Sequence, residues 1–333
     1  MDNPGNAAPY ISVLIAARNE ALNIDRCVQA LVNQHYGGKC EIIIGNDDSS
    51  DNTGEKISYW VNKYSNISLF NIEMNVSHQK GKANVLAQLA RQARGQYLLI
   101  TDADVRVNEN WVSAMAEALE TGAAIITGVT AVEGDSFFAR IQNADWIFLF
   151  ANGYRFAKSD NPVTACGNNM GISKEVYEKI GGYENIPFSV TEDYELFKQV
   201  TQKGYSFKSL FSPKELAFTR PLENMKLYFQ QRKRWYRGAL QLPFVLALVL
   251  VMHSLLLPIF VVVGVFVSWK IVFGLAIISW GIIGFDLNRY YRWLKLKPGA
   301  ELFLYFPYTL LFSFLFLLYY ILPIPVVWKG RKY

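Results

Sequence analysis

Three uncharged apolar runs close the chain and limit what it can fold into more than any other feature of the sequence. Leu242–Val267 is 26 residues without Asp, Glu, Lys or Arg, about 39 Å as a helix, against roughly 30 Å for the hydrocarbon core of a bilayer. Ile271–Phe285 adds 15 more and needs Trp269 and Leu287 to reach across. Leu302–Trp328 is the third, with Pro307 inside it and Tyr and Trp near its ends, where interfacial aromatic belts form. One such run suits an ordinary core helix. Three in succession predict an integral membrane protein with two to three spans over 241–333.

Charge follows the same division. Residues 239–333 hold eight Lys/Arg and two Asp/Glu, leaving 25 basic and 26 acidic residues before them. The first part is therefore a nearly neutral soluble domain, and the net charge of +5 comes from the tail. About 240 residues bury a core without staples, which excludes a disordered chain and a disulfide scaffold. Cys27, Cys40 and Cys166 are odd in number and in no metal-ligand spacing, as expected of buried thiols in a reducing compartment. The basic residues flank apolar runs and form no stripe interleaved with aromatics, so the expected partner is a membrane and not nucleic acid. Met1–Pro9 is polar, and the run Ile11–Ala17 is too short for a leader. The soluble part is expected on the cytoplasmic face. Arg289, Arg292, Lys295 and Lys297 make the linker Asp286–Glu301 cytoplasmic if two spans precede it. The tail from Lys329 is equally basic, and a third full span would put it outside. Either one run is re-entrant or interfacial, or the charge rule is broken.

Within the soluble part, short Ile- and Val-rich strands alternate with helical patterns. Strands are predicted at Ile11–Ala17, Glu41–Gly45, Ile67–Ile72 and Tyr97–Thr101. Helices are predicted at Ala21–Val32, with Leu22, Cys27 and Leu31 among the apolar positions, at Gly54–Tyr64 and at Lys82–Arg94. This alternation gives an α/β fold with a mostly parallel sheet covered on both faces, whose ligands sit at the carboxyl ends of the strands. The polar clusters fall at those ends: Arg18-Asn19-Glu20, Asp47-Asp48-Ser49-Ser50-Asp51 and Asp102-Ala103-Asp104.

Each cluster has a chemical and a plain structural reading. Asp102 and Asp104 offer a hard divalent cation the oxygens it prefers, or form a solvated turn. Asp48 can accept from a nucleotide's imide or ribose groups, or the cluster can cap the following helix. In Thr191-Glu192-Asp193, one acid can be a general base, or both can complement the dipole of the helix they open. In Gln231-Arg232-Lys233-Arg234-Trp235, Gln231 and Arg234 can grip a diphosphate while Trp235 walls a sugar pocket. The same segment can instead lie on the bilayer surface as an anchor, in which case its positive charges, Lys233 among them, would be interchangeable.

Taken in order, Ile15-Ala16-Ala17-Arg18-Asn19-Glu20, Asn46-Asp47-Asp48-Ser49-Ser50-Asp51-Asn52-Thr53, Gly81-Lys82-Ala83, Thr101-Asp102-Ala103-Asp104, Thr191-Glu192-Asp193 and Gln231-x-x-Arg234-Trp235 resemble the motif series of family-2 inverting glycosyltransferases. These carry a membrane-embedded C-terminus and include cellulose, chitin and hyaluronan synthases and ceramide glucosyltransferase. The resemblance spans Ile11–Trp235 and implies a Rossmann-like, GT-A type catalytic domain over 1–226, an interfacial helix over 227–240 and a membrane domain over 241–333. It also implies that Arg18, Glu20 and Asp48 contact the nucleotide, that Lys82 lies near the phosphates, and that Asp104 with Asp102 holds Mg²⁺ or Mn²⁺. Asp193 is the implied base, with Glu192 beside it. Gln231, Arg234 and Trp235 close the site. Gly167-Asn168-Asn169-Met170 looks like the segment between donor and acceptor, with Asn168 or Asn169 near the sugar, or else forms a tight turn.

The expected reaction is transfer from a nucleotide-sugar, a UDP-hexose in the first instance, to a membrane-lipid acceptor. The alternatives are a processive polysaccharide synthase, completed by an oligomer or an accessory subunit, and a non-catalytic nucleotide-sugar-binding membrane protein. The large synthases have more spans than this sequence offers, and Gln-x-x-Arg-Trp occurs in single-sugar transferases too.

Overall fold

The computed structural model describes residues 8–159, 165–242, 244–328 and 331–332. The start of the polar N-terminus, Met1–Ala7, and Lys329-Gly330, which begin the basic tail, lie outside the described residues. The chain divides into two units, one running to Ala131 and resuming over Asn152–Arg220, the other comprising Val132–Ala151 and Pro221 onward. This is not the serial division at residue 226 that the sequence predicts, because Val132–Ala151 belongs with the C-terminal part.

The first unit alternates strand and helix: β1 (Ile11–Ala17), α1 (Ile24–Val32), β2 (Cys40–Asn46), α2 (Thr53–Lys63), β3 (Ile67–Asn71), α3 (Lys82–Gln92), β4 (Tyr97–Asp102), β5 (Val105–Val107), α4 (Trp111–Glu120), β6 (Ile125–Thr127) and β7 (Thr130–Val132). The long helix α5 (Phe137–Ala157), most of which belongs to the second unit, follows, and the first unit resumes with β8 (Asn169–Ser173), α6 (Lys174–Lys179), α7 (Gly182–Asn185), α8 (Glu192–Gln202), β9 (Phe207–Ser209) and β10 (Ala217–Thr219). Seven strands form one sheet in the order β3-β2-β1-β4-β8-β6-β9, and β5-β10-β7 form a second. The strands β3, β2, β1 and β4 are parallel, whereas β8 runs antiparallel to both β4 and β6. Strand alternation explains the two-sided core. Ile11, Val13, Ile15, Ile42, Ile44 and Leu99 face α1 and α4, while Leu14, Ile43, Leu98 and Ile100 face α3 and α8. At Gly45 a Cβ would come within 2.4 Å of Val85 Cγ1, so the absence of a side chain lets α3 lie close on β2.

One predicted boundary moves. Helix α1 begins at Ile24 and not Ala21, because the amides of Asn23 and Ile24 both donate to the Glu20 carbonyl at 2.9 Å and close a turn there. Leu22, counted from sequence among the apolar face, is left 81% exposed.

The second unit contains α9 (Met225–Ala239), α10 (Phe244–Ser254), α11 (Leu256–Val263), a π turn (Gly264–Ser268), α12 (Trp269–Trp293) and α13 (Glu301–Ile321). Among the described residues two helical segments are long and apolar enough to cross a membrane, Leu256–Trp293 and Glu301–Ile321. One of the apolar runs is divided differently from the prediction. Leu242–Val267 is not one helix: it breaks at Leu255, and extended backbone at Ser268 (φ −170°, ψ 128°) separates its second half from α12, which begins at Trp269 and holds the Ile271–Phe285 run. Pro258 supplies the reason for the break at Leu255, since a proline lacks the amide proton and its ring obstructs the carbonyl four residues back, so it fits without cost in the first turn of a helix, whereas an interior proline leaves a carbonyl to be satisfied from elsewhere. Within α13, Pro307 leaves the carbonyl of Phe303 without its intrahelical donor, and the Trp280 indole Nε1 on α12 donates to that oxygen at 2.7 Å.

This substitution of one donor for another is testable. Trp280→Phe should destabilise the second unit by about 1–2 kcal/mol by orphaning an acceptor. In a Pro307→Ala background, which restores the amide, the same change should have little effect. Denaturant unfolding of the detergent-solubilised variants measures the cycle.

Candidate active site

The carboxyl ends of β1 and β2 lie side by side, with Ala17 opposite Asn46. Their loops are laced together: Ser50 N donates to Asn19 Oδ1 at 2.8 Å, Ala21 N to Asp51 Oδ2 at 3.1 Å, and Glu20 N to Thr53 Oγ1 at 2.8 Å. Asn19 and Asp48 take the left-handed φ values of 53° and 52° that tight polar loops require. Arg18 Nη1 donates to the Asp47 carbonyl at 2.7 Å and lies 3.8 Å from Asp48 Oδ2. Asp48 is exposed on the rim, and the inner acid is Asp47. Glu20 is buried and accepts from Asn23 Nδ2 at 2.7 Å. Arg18, Glu20 and Asp48 thus share one rim.

Strand β4 ends on the other side of β1, with Asp102 opposite Ala16. Lys82, the first residue of α3, pairs its Nζ with Asp102 Oδ1 and lies 3.5 Å from Glu192 Oε1 and 3.3 Å from the Gly167 carbonyl. Burial works against the lysine's charge, but Asp102, Glu192 and Asp193 outweigh it and hold the ammonium's pKa above the ordinary lysine value. Asp193 opens α8. Its Oδ2 accepts from Gly167 N at 2.7 Å and its Oδ1 from Tyr194 N at 2.8 Å. Both oxygens of Asp193 therefore accept from backbone amides, one at the start of α8 and the other at Gly167, whose carbonyl faces the Lys82 ammonium. A Cβ on Gly167 would come within 2.8 Å of Asp193 Cβ and 3.2 Å of Lys82 Nζ, so the bare glycine is what permits this approach.

Asn168 and Asn169 are built into the wall. Asn168 Oδ1 accepts from Thr130 Oγ1 at 3.0 Å. Asn169 is fully buried: its Oδ1 accepts from Trp111 Nε1 at 2.8 Å, and its Nδ2 donates to the carbonyls of Val129 and Glu215, each at 2.9 Å. That amide holds β4's neighbour strand β8 in place and has no hydrogen left for a sugar. Trp111, which the sequence reading did not single out, is the donor that fixes it.

Asp102 and Asp104 stand on one turn, two carboxylates beside Cys27, whose thiol burial pushes far out of the thiolate range. Among the described residues no three His, Cys, Asp or Glu side chains form a metal cluster. Two carboxylates without a third protein ligand fit a Mg²⁺ or Mn²⁺ that takes its remaining ligands from a diphosphate and water.

A model of Glycosyl transferase family 2 matches residues 12–181, and one of Glycosyl transferase family group 2 matches residues 97–328. The chain belongs to glycosyl transferase family 2. It is 30% identical over 237 residues to the probable glycosyltransferase YdaM of Bacillus subtilis, which is 69% of this chain and 55% of that protein. It is 26% identical over 231 residues, 68% and 54% of the two chains, to a poly-beta-1,6-N-acetyl-D-glucosamine synthase of Staphylococcus epidermidis. The chain therefore spans about half the length of the curated relatives it matches. A mannosyltransferase from Pyrobaculum calidifontis, solved with GDP-Man and Mn²⁺, aligns with a TM-score of 0.59 at 17% identity over 93% of this chain and 91% of that one. GalNAc-T7, solved with UDP, GalNAc and Mn²⁺, aligns with a TM-score of 0.50 at 18% identity, over 65% of this chain and 44% of that one. The fold is GT-A, as the sequence implied.

In the second unit, Gln231, Arg234 and Trp235 lie on α9, which Asn224 caps by accepting from Leu227 N at 3.0 Å. Gln231 is buried, and its Oε1 has no hydrogen-bond partner among the described residues. The anchor reading of this helix does not survive for two of its charges. Lys233 is 3% exposed and donates to the carbonyls of Tyr319 and Leu322 at 3.1 and 2.5 Å, closing the end of α13. Arg232 is 7% exposed and pairs with Asp145 of α5 at 2.6 Å, with the hydroxyls of Tyr228 and Tyr305 donating to the same carboxylate at 3.0 Å. The Arg232 guanidinium also lies 4.3 Å from the centre of the Trp235 ring, which meets Trp146 edge-on. Asp145 was not singled out from sequence, although a lone acid before the run Trp146–Phe150 carries a signal, since such a charge must find a partner.

Removing one member of that pair leaves a buried charge. Asp145→Leu and Arg232→Met should each destabilise by about 3–5 kcal/mol, and the double variant by no more than either single one. Denaturant unfolding reads the cycle, and additive losses would contradict it.

Proposed function

We propose that this protein transfers a hexose from a nucleoside-diphosphate sugar to an acceptor at the membrane surface, with inversion. The observation that carries the reading is the cluster at the carboxyl ends of β1, β2 and β4, where Lys82 pairs with Asp102 beside Glu192 and the Gly167 backbone links Lys82 to Asp193. Arg18, Glu20 and Asp48 bind the nucleoside, as the family motif implies. Lys82 takes the diphosphate, and Gln231, Arg234 and Trp235 are assigned to the donor by the same motif. Asp102 and Asp104 would hold a Mg²⁺ or Mn²⁺ ion, which when bound offsets the negative charge of the leaving diphosphate. Asp193 keeps a second lone pair on each oxygen and accepts the proton of the acceptor hydroxyl. The hydroxyl oxygen then attacks the anomeric carbon from the face opposite the diphosphate. Asn169 is left out of this assignment, because its amide is spent on Trp111, Val129 and Glu215; Asn168 and Glu192 line the donor and acceptor side.

The acceptor proposed first is a lipid. Two helices able to cross a bilayer support a membrane enzyme, and the charges of Arg289, Arg292, Lys295 and Lys297 support a cytoplasmic linker and catalytic unit. The second reading is polymer elongation, favoured by the poly-beta-1,6-N-acetyl-D-glucosamine synthases among the relatives. Membranes containing the enzyme, incubated with UDP- and GDP-sugars and a lipid extract and analysed by mass spectrometry, distinguish them. One added sugar on a lipid supports the first, and a ladder of lengths the second. No transfer from any donor would overturn both.

Two substitutions test the residue roles. Asp193→Asn should lower turnover by about 10² or more with donor affinity nearly intact; asparagine keeps an acceptor for only one of the two amides, Tyr194 N and Gly167 N, so unchanged donor affinity is the check that the site still folds, and near-normal turnover would leave Asp193 only its structural role. Arg234→Lys should lower turnover about tenfold or more, because a lysine cannot reproduce paired guanidinium–phosphate bonds. Arg237→Lys on the same helix should change it little. Lys233 is no neutral comparison, given its contacts with the end of α13.

A further inference from the structure

Lys82 occupies a position made for a hard cation. The atoms around its ammonium are oxygens: Asp102 Oδ1, with which it pairs, Glu192 Oε1 at 3.5 Å and the Gly167 carbonyl at 3.3 Å. Carboxylate and carbonyl oxygens are the ligands that Mg²⁺ and Mn²⁺ choose, and Asp102 is one of the two acids assigned to the metal. The same carboxylate cannot serve both cations fully. A divalent ion beside a fixed ammonium is repelled, and the field is strong where water is partly excluded. The ammonium is nevertheless needed when no ligand is bound, because Asp102, Glu192 and Asp193 would otherwise face one another without compensation.

We propose that Lys82 is a displaceable counterion that guards the metal site until a nucleoside diphosphate arrives. With no donor bound, its ammonium holds Asp102 and Glu192. A bound diphosphate offers it phosphate oxygens instead; the flexible four-carbon stem swings across, and Asp102 is released to the metal. Metal and donor then bind as a pair, each raising the affinity for the other by the same factor. The exchange breaks no covalent bond and moves no proton. It rests on the metal-dependent reading above and extends it to the order in which the site fills.

The test is Mn²⁺ binding, followed through the free-ion electron paramagnetic resonance signal, on the full detergent-solubilised chain with and without UDP or GDP. The wild type should bind Mn²⁺ weakly alone and at least about tenfold more tightly with the nucleotide. Lys82→Met and Lys82→Gln should bind Mn²⁺ about tenfold or more tightly without any nucleotide, and the additional tightening by nucleotide should shrink. A structural lysine would lower the melting temperature without raising metal affinity, so variants that match the wild type in nucleotide-free Mn²⁺ affinity overturn the proposal and leave the glycosyltransferase reading standing. If the wild type retains no Mn²⁺ with either nucleotide while still transferring sugar, metal dependence itself fails, and this inference with it. Asp104→Ala gives the baseline for loss of the site.

Discussion

Strand β1 is hydrogen-bonded along both edges, in parallel, to β2 and β4, and the candidate site depends on that double pairing. Parallel register brings three carboxyl ends to one rim. Chain order 1-2-3 runs to one side and β4 returns on the other, which opens the crevice where sheets of this kind hold their ligands. The polar residues that follow each strand could not reach one another in an antiparallel meander, where alternate strand ends point to opposite rims. The antiparallel β8 then approaches β4 with Asn169 opposite Thr101, delivering Gly167 to the same rim from the other direction. Four separate segments meet there without any one of them being long.

How much of this was legible in the sequence depends on the range of the interaction. The strand ends, their acids and the α3 start at Lys82 were legible, because period-2 runs and terminal polar clusters are local signals. The inner position of Asp47 relative to Asp48 was not, since it follows from a left-handed φ at Asp48 that composition does not announce. Helix α5 also escaped, as its aromatic-rich run carries no clear period and its one acid makes sense only beside Arg232, 87 positions away. Hydropathy located the apolar C-terminus and the start of α12 at Trp269, but passed over the break at Leu255, because it counts residues and gives no weight to Pro258.

The basic face of α9 illustrates how a plausible charge argument can fail. Positive residues before an apolar segment are expected at lipid headgroups, yet Arg232 and Lys233 are turned inward. A desolvated Arg–Asp pair adds little net stability compared with apolar packing, but it tolerates few alternative arrangements. Here it fixes the rotation of α9 about its own axis, since Trp235 lies against the same guanidinium. The motif's orientation is thereby set within the second unit by α5 and α13, helices that carry none of the motif.

Ser268 has extended backbone (φ −170°, ψ 128°) and divides the apolar segment Leu256–Trp293, so α12 (Trp269–Trp293) is the longest unbroken helix of the second unit, 25 residues, about 38 Å at the α-helical rise. In the proposed membrane setting such a helix exceeds the roughly 30 Å of hydrocarbon by about a quarter. It is accommodated by leaning, and the angle is set by the host bilayer: steeper in a thick membrane, flatter in a thin one. Lipid chain length thus becomes a mechanical variable for this protein, acting on a helix with one end at the Ser268 break and the other beside the basic linker.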